Sequence, residues 1–307
     1  RALDAIERIR DLQPEGTVRA RAFAPWVSAY SRLAGQLLAG LDASPHPRGD
    51  LDLAFSTLER MRARALLDEL ERAGTRPRLD PKDHDLRRRD DILQEISRVQ
   101  RTLLEGTLPR ADRRAALETL DRLEGEEALL RDVIARRLPE FAQWLPAAFP
   151  GLATMQARLE ADQALLSFAL VPRSADQDDL FDAGGSWVVL VTRDRARAFR
   201  LPERSLLEDR IAVFLGLCRR GDGSEARAAA RLYADLLEPA LREAGPSVRR
   251  LVLVPDADLN RLPFAALREN ADGLPLAARY DIEAAPSATV WLRCKDTFGG
   301  DPPPPEA

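Results

Sequence analysis

The chain has 307 residues, of which 45% are hydrophobic and 31% are charged, and its net charge is −4. This composition is typical of a globular protein with enough apolar residues for about two domains. The small net charge argues against nucleic acid as the main partner, and no apolar run reaches the ~18 residues that span a membrane. Two cysteines form no disulfide framework and favour a reducing compartment, so we expect a cytoplasmic protein. Because the chain begins with Arg rather than Met, we expect a fragment or a processed chain.

The first half of the sequence predicts helices. Apolar residues near a 3.6-residue period indicate helices over residues 18–41 and 50–74. The second of these should bury one side, formed by Leu53, Phe55, Leu58, Met61, Ala65, Leu66 and Leu70. These residues are compatible with a degenerate terminal helical repeat, but no second copy follows at a fixed period, so no repeat array is predicted.

A long helical hairpin is predicted next, over residues 86–106 and 112–138, with residues 106–109 as its turn. Its charged outer faces are interpreted as solvated surface, with docking of a partner as the alternative. The seam is expected to bring Ile92, Ile96, Val99 and Leu103 against Leu117, Leu120, Leu123, Leu129 and Ile134.

Strands and helices alternate from about Gly151 onward. Strands are predicted over residues 164–171, 187–192, 195–201, 251–254 and 280–283, and helices over residues 152–159, 205–219 and 224–244. A last helix should start near Pro286 with Ser287 as its N-cap. This alternation predicts a sheet covered by helices. The proline-rich tail of residues 299–307 is interpreted as a linker or an exposed loop.

One stretch carries a recognisable pattern. A strand ends in Val254-Pro255-Asp256, and Leu259, Leu262-Pro263-Phe264 and Leu267 follow before a second strand, Pro286-Ser287 and a helix. This order resembles the CHAT domain, a caspase-like cysteine peptidase module usually found after tetratricopeptide repeats. Residues 230–239 (ARLYADLLEP) and 59–70 (ERMRARALLDEL) look like further parts of the same family, so the resemblance covers residues 50–296 in outline.

The resemblance implies a fold class of α plus α/β. Residues 1–74 would be a helical region with possible terminal repeats, residues 75–150 a long helical hairpin linker, and residues 151–298 the first half of a caspase-like α/β sandwich. It also implies that the parent protein is a cysteine endopeptidase, which cleaves protein partners recognised through its helical repeats. The His-Gly element and the strand-end Cys of the family's catalytic half are not present in this sequence.

We therefore expect no catalytic, cofactor-binding or metal-binding residues in this chain. Its expected role is the non-catalytic front portion of the peptidase, which supports the missing catalytic half and couples it to the helical region. The expected partners are that half and a protein substrate or regulator. Two alternatives stay open: a catalytically dead scaffold or regulatory binding module, and a catalytic half carried by a separate chain after processing at the proline-rich tail.

The nucleophiles and bases that the chain does contain are poorly placed for catalysis. His46 and His84 lie in predicted loops of the helical region, far in sequence from the α/β part. Cys218 lies in an apolar helix, where a buried, inert thiol is expected. Cys294 stands between two cations on a predicted helix, but no histidine is near it in sequence. Ser167, like Ser287, has no partner that could act as a base.

Two further groups of polar residues are interpreted as structural. Asp256, Asp258 and Asn260 have the spacing of the start of a calcium loop, but Arg261 replaces the required Gly and Leu267 the required Glu, so the carboxylates are interpreted as turn formers. Arg60, Arg62 and Arg64 are expected to form intramolecular salt bridges, with a site for an acidic partner as the alternative. The sequence has no zinc-ligand spacing and no phosphate-binding loop.

Overall fold

The computed structural model describes residues 29–72, 83–104, 109–138, 150–171, 185–221 and 223–298. The predictions for residues 1–28, for the hairpin turn at 106–108 and for the tail at 299–307 lie outside these ranges. The chain divides into two compact units, residues 1–28 with 64–148 and residues 29–63 with 149–307. The predicted domain boundaries at residues 74 and 150 stay a prediction. Within the described ranges, no helix is both long enough and apolar enough to cross a membrane.

The described elements follow the predicted order. The helices are α1 (residues 29–39), α2 (Pro47–Arg72), α3 (His84–Leu104), α4 (Arg110–Arg137), α5 (Leu152–Arg158), α6 (Arg204–Cys218), α7 (Ala226–Leu236), α8 (Glu238–Ala244) and α9 (Ala288–Phe298). The strands are β1 (Gln163–Val171), β2 (Gly185–Thr192), β3 (Ala196–Leu201), β4 (Arg250–Val254) and β5 (Asp281–Ala284).

One predicted helix, over residues 224–244, is wrong as a single element. It is two helices, α7 and α8, separated at Leu237. Pro239 stands in the first turn of α8, where its missing N–H costs nothing, whereas in the interior of a continuous helix it would remove a backbone hydrogen bond. The proline therefore starts a new helix.

Helices α3 and α4 form the predicted hairpin, whose small core contains Ile92, Leu93, Ile96 and Leu123. The seam prediction is wrong for Leu117 and Leu129, which are exposed. Each lies six residues from Leu123, which at 3.6 residues per turn places it about 240° around the helix and away from α3. An ion pair between the partly exposed Arg89 and the buried Glu127, Nε to Oε1 at 2.8 Å, occupies part of the seam instead.

The five strands form one mixed sheet in the order β3-β2-β1-β4-β5. β1, β4 and β5 are parallel, and β2 and β3 extend the sheet as antiparallel strands. All nine residues of β1 are buried, as expected for a central strand covered on both faces. The prediction of a helical region combined with an α/β sheet is confirmed as far as the type of elements and the presence of one mixed sheet.

Alternate residues of β1 enter two separate cores. Leu166, Phe168 and Leu170 pack with α6, α7 and α8. Leu165 and Ala169 face the opposite layer, which contains α1, the first part of α2, α5 and α9. Ser167 lies between Leu165 and Ala169 in the alternation of the strand, so its side chain faces the same layer. The α/β unit is thus a three-layer arrangement with helices on both sides of the sheet.

Helix α2 packs into this second core, and the periodicity of the sequence predicted some of its buried residues but not all. Ala54, Phe55 and Leu58 are buried, whereas the predicted Leu53 is 48% exposed because it lies two residues from Phe55 and so on the other side of the helix. Asp52, one residue earlier, accepts a 2.6 Å hydrogen bond from the Leu152 amide at the start of α5. An added Cβ on Gly151 would lie 2.9 Å from Asp52 Oδ1, so glycine permits this close approach.

Candidate functional site

A buried ion pair projects from α2 toward the centre of the sheet. Arg62 Nη1 lies 3.6 Å from Glu59 Oε1, and both side chains are buried. The Arg62 guanidinium donates to Ser167 Oγ at 2.7 Å and to the carbonyl oxygen of Phe168, both on β1. The predicted intramolecular salt bridge is therefore confirmed for Arg62, while the side chain of Arg64 lies outside the described residues.

The other partner of Glu59 is the start of α9. Glu59 Oε2 accepts hydrogen bonds from the Thr289 amide at 2.8 Å and from Thr289 Oγ1 at 3.0 Å. A carboxylate at this position also benefits from the positive end of the helix dipole. Ser287 caps the same helix, since its Oγ accepts from the Val290 amide at 3.1 Å, which confirms the predicted N-cap. We call Glu59, Arg62, Ser167 and Thr289 the buried polar network.

This network joins three segments that are distant in sequence: α2, β1 and α9. Buried charges are retained in a stable fold only when they are paired and hydrogen-bonded. Four hydrogen bonds satisfy most of the polar atoms of the pair, although Glu59 Oε1 accepts none and Arg62 Nε donates none. The network therefore fixes the position of α2 against β1 and α9 more narrowly than apolar packing alone would.

The Leu-Pro-Phe motif supplies apolar contacts on the opposite face of the sheet. Residues 257–261 and 264–266 form short 3₁₀ turns, which carry Leu259, Leu262, Phe264 and Leu267 into the core. The ring centroid of Phe264 lies 5.5 Å from that of Phe168. The motif thus packs directly against the central strand β1.

The polar residues that follow β4 make local contacts at Asp258 and Asn260, whereas the prediction of a turn-forming carboxylate is wrong for Asp256, which bonds to β1. Asp256 Oδ2 accepts from the Leu170 amide of β1 at 2.7 Å, and Asp258 lies 3.6 Å from Arg261. Asn260 donates through Nδ2 to the Ala257 carbonyl, which stabilises the positive φ of 48° at Ala257. Among the described residues, no group of three or more His, Cys, Asp and Glu side chains is arranged to hold a metal ion.

The cysteines and histidines that the structure describes lie in different surroundings. Cys218 is half-buried and Cys294 is exposed, and both thiols are free. Lys295, which neighbours Cys294, donates to the Arg158 carbonyl at 2.9 Å instead. His84 lies 3.3 Å from Asp85 at the start of α3, in the helical unit, and His46 is exposed before α2.

The two cysteines are expected to differ in reactivity. Burial, followed by the nearby Glu225 carboxylate, raises the pKa of the Cys218 thiol, so little thiolate is available there near neutral pH. With an aromatic disulfide reagent at pH 8, Cys294 should react about tenfold faster than Cys218. The C294S variant should lose the fast phase and C218S should keep it. Equal rates for the two thiols would contradict this assignment.

The α/β unit is a helix-covered mixed sheet in which one loop motif and one buried polar network surround the central strand. The family model of the CHAT domain matches residues 226–301. The resemblance is confirmed for this segment, which includes α7, α8, β4, β5 and α9. No curated protein and no solved structure matches the chain.

Sequence reasoning did not identify the buried polar network as a unit. The sequence indicates Arg62 as part of an arginine cluster, Ser167 as a serine without a base, and Glu59 only as part of the family-like stretch 59–70. The available signal was an acidic and a basic residue three positions apart on the apolar side of a predicted helix. A charged pair in that position must find partners in the protein interior.

Proposed function

We propose that this chain forms the non-catalytic front portion of a CHAT-family cysteine endopeptidase. In this role, the β4–β5–α9 segment forms part of a caspase-like sheet, and the catalytic half supplies the His-Gly and Cys elements. The match of residues 226–301 to the CHAT domain supports the family. We assign residues 1–307 a supporting role because the sequence holds neither the His-Gly element nor the strand-end Cys that the resemblance implies for the catalytic half.

The observation that carries the proposal is the contact between Glu59 and Thr289. It links two segments that each resemble the family, residues 59–70 and the Pro-Ser motif with its helix. Through this contact and the Arg62 bonds to β1, α2 is held on the sheet by charge as well as by packing. Helix α2 continues without interruption to Arg72, which makes it the element that would couple the sheet to a helical recognition region.

The proposal is tested by expressing residues 1–307 alone and together with whatever the reading frame encodes after the codon for Ala307. We expect no thiol-dependent cleavage of a fluorescent protein substrate by residues 1–307. The extended chain should cleave, and serine in place of a strand-end Cys in the added part should abolish cleavage. C294S in the extended chain is the matched control and should leave cleavage unchanged.

Two outcomes would reject the proposal. Thiol-dependent cleavage by residues 1–307, removed by C294S or C218S, would place the nucleophile in this chain. A reading frame that stops, or that continues without the His-Gly and Cys elements, would favour the catalytically dead scaffold or regulatory module instead.

A further inference from the structure

A pocket opens beside the amino ends of β4 and β5. Its volume is about 590 Å³, and its lining includes Tyr233, Arg249, Glu269, Leu274, Arg279 and Tyr280. We call it the tyrosine pocket. Arg249 immediately precedes β4 and Tyr280 immediately precedes β5, and their backbones are joined by the bond from the Asp281 amide to the Arg249 carbonyl at 2.9 Å. The start of the parallel strands therefore holds one wall of the pocket in place.

The other wall is a loop that presents an apolar side chain to solvent. Leu274 is 77% exposed, although hydrogen bonds hold the loop that carries it in place. The Arg268 guanidinium donates to the Gly273 carbonyl at 2.8 Å, and the Leu276 amide donates to the Leu267 carbonyl at 2.8 Å. The loop is thus fixed with its leucine at the mouth of the pocket, where an apolar partner group could cover it.

The charged side chains that line the pocket are two arginines and one glutamate, an excess of one cation. Arg279 pairs with Glu269 at 3.1 Å and its guanidinium lies 5.3 Å from the centroid of the Tyr280 ring. Arg249 is exposed and donates through Nη1 to the backbone carbonyls of Pro246 and Val248, at 2.6 and 3.0 Å. Outside the lining, the Asp162 carboxylate is near enough for the charge of Arg249 to contribute to its lowered pKa, but its hydrogen-bonded partner is Arg250.

The tyrosines add hydroxyl groups and aromatic surface. Both side chains are largely buried, Tyr233 at 5% and Tyr280 at 7% exposure. Burial, followed by the Glu269 carboxylate, raises the pKa of Tyr233 to about 12. Its hydroxyl therefore stays protonated at neutral pH and is available as a hydrogen-bond donor.

We propose that the tyrosine pocket binds a peptide segment of a protein partner that carries an acidic side chain close to an apolar one. The carboxylate would pair with the oriented Arg249 guanidinium, which suits the planar geometry of a carboxylate. The apolar side chain would cover Leu274 and the tyrosine rings. The single excess cation of the lining matches one carboxylate, whereas a phosphate-rich ligand would meet Glu269 with too little opposing positive charge. Binding here does not require that the chain belong to a peptidase.

The test uses residues 1–307 and fluorescein-labelled hexapeptides of Gly and Ser that carry one Asp and one Leu at separations of one to three positions. Fluorescence polarisation should show saturable binding for at least one spacing, and the matched peptide with Asn for Asp should bind about tenfold more weakly. R249A should weaken the acidic peptide about tenfold and L274S several-fold. R242A, at an exposed ion pair outside the pocket, is the matched control and should bind normally.

Equal binding of the Asp and Asn peptides, or unchanged binding by R249A, would overturn the proposal. So would tighter binding of ATP or inorganic phosphate, either of which would assign the pocket to a phosphate ligand. Arg249 and Leu274 are exposed, so both variants should fold, which thermal melts followed by circular dichroism would verify. Because this assay measures peptide binding and not cleavage, a negative result would not bear on the peptidase proposal, which the cleavage assay tests separately.

Discussion

Alanine in place of Arg62 is expected to lower the free energy of unfolding of the α/β unit by about 3–5 kcal/mol. The variant leaves the Glu59 carboxylate buried without its cation, and it leaves Ser167 Oγ and the Phe168 carbonyl without their donor. An unpaired buried charge is far more costly than the lost attraction alone. The measurement is urea denaturation followed by tryptophan fluorescence, since Trp187 and Trp291 both lie in the core that α2 enters.

R242A provides the matched control. Arg242 pairs with Glu238 at 2.5 Å on α8, but its side chain is 76% exposed. An exposed pair of this kind contributes about 0–1 kcal/mol, so R242A should unfold nearly as the parent does. The double variant E59L/R62M should lose less stability than the two single changes combined, because apolar groups of similar size can replace a buried pair without leaving a charge. An R62A midpoint equal to that of R242A would show that the buried polar network does not stabilise this unit.

Alanine in place of Phe168 is expected to cost about 3–5 kcal/mol of stability. Phe168 is fully buried at the centre of β1 and packs against Phe264 of the Leu-Pro-Phe motif. Removal of the ring creates a cavity between the central strand and that motif, which the surrounding side chains fill only in part. Urea denaturation measures the loss, and the m-value should stay constant if the native state remains compact.

A double-mutant cycle with F264A would assign part of this loss to the aromatic pair. The loss of stability in the double variant should be smaller than the sum of the losses in F168A and F264A. The difference, the coupling energy, should be about 0.5–1.5 kcal/mol for rings at this separation. V213A is the control, because Val213 is 59% exposed on α6 and an exposed apolar side chain contributes little burial. Strict additivity of F168A and F264A would mean that the motif does not pack on β1 in solution.

The type and order of the elements could be predicted from local pattern. The β1 stretch ALLSFALV is apolar on both faces, and the strand predicted over residues 164–171 is confirmed. Ser287 was predictable as an N-cap because capping depends only on residues a few positions apart. The α7–α8 break was less evident, since Pro239 is compatible either with a kink in one helix or with the start of another.

The candidate sites depended on contacts that no local pattern encodes. Ser167 was identified only as a serine without a base, and its role as the acceptor for Arg62 follows from the packing of α2 over β1. The tyrosine pocket likewise needs Tyr233 on α7, Arg249 before β4 and Leu274 on a loop to meet at one place.

The sequence alone determined the class of fold, the CHAT-like motif and the scarcity of catalytic groups, because these rest on composition, short-range periodicity and spacing. Only the tertiary structure decided which polar residues are partners, since Glu59 and Thr289 are 230 positions apart. A buried charge requires a partner, but the sequence does not say where that partner lies. The register of the sheet and the packing of α2 place it within hydrogen-bond reach.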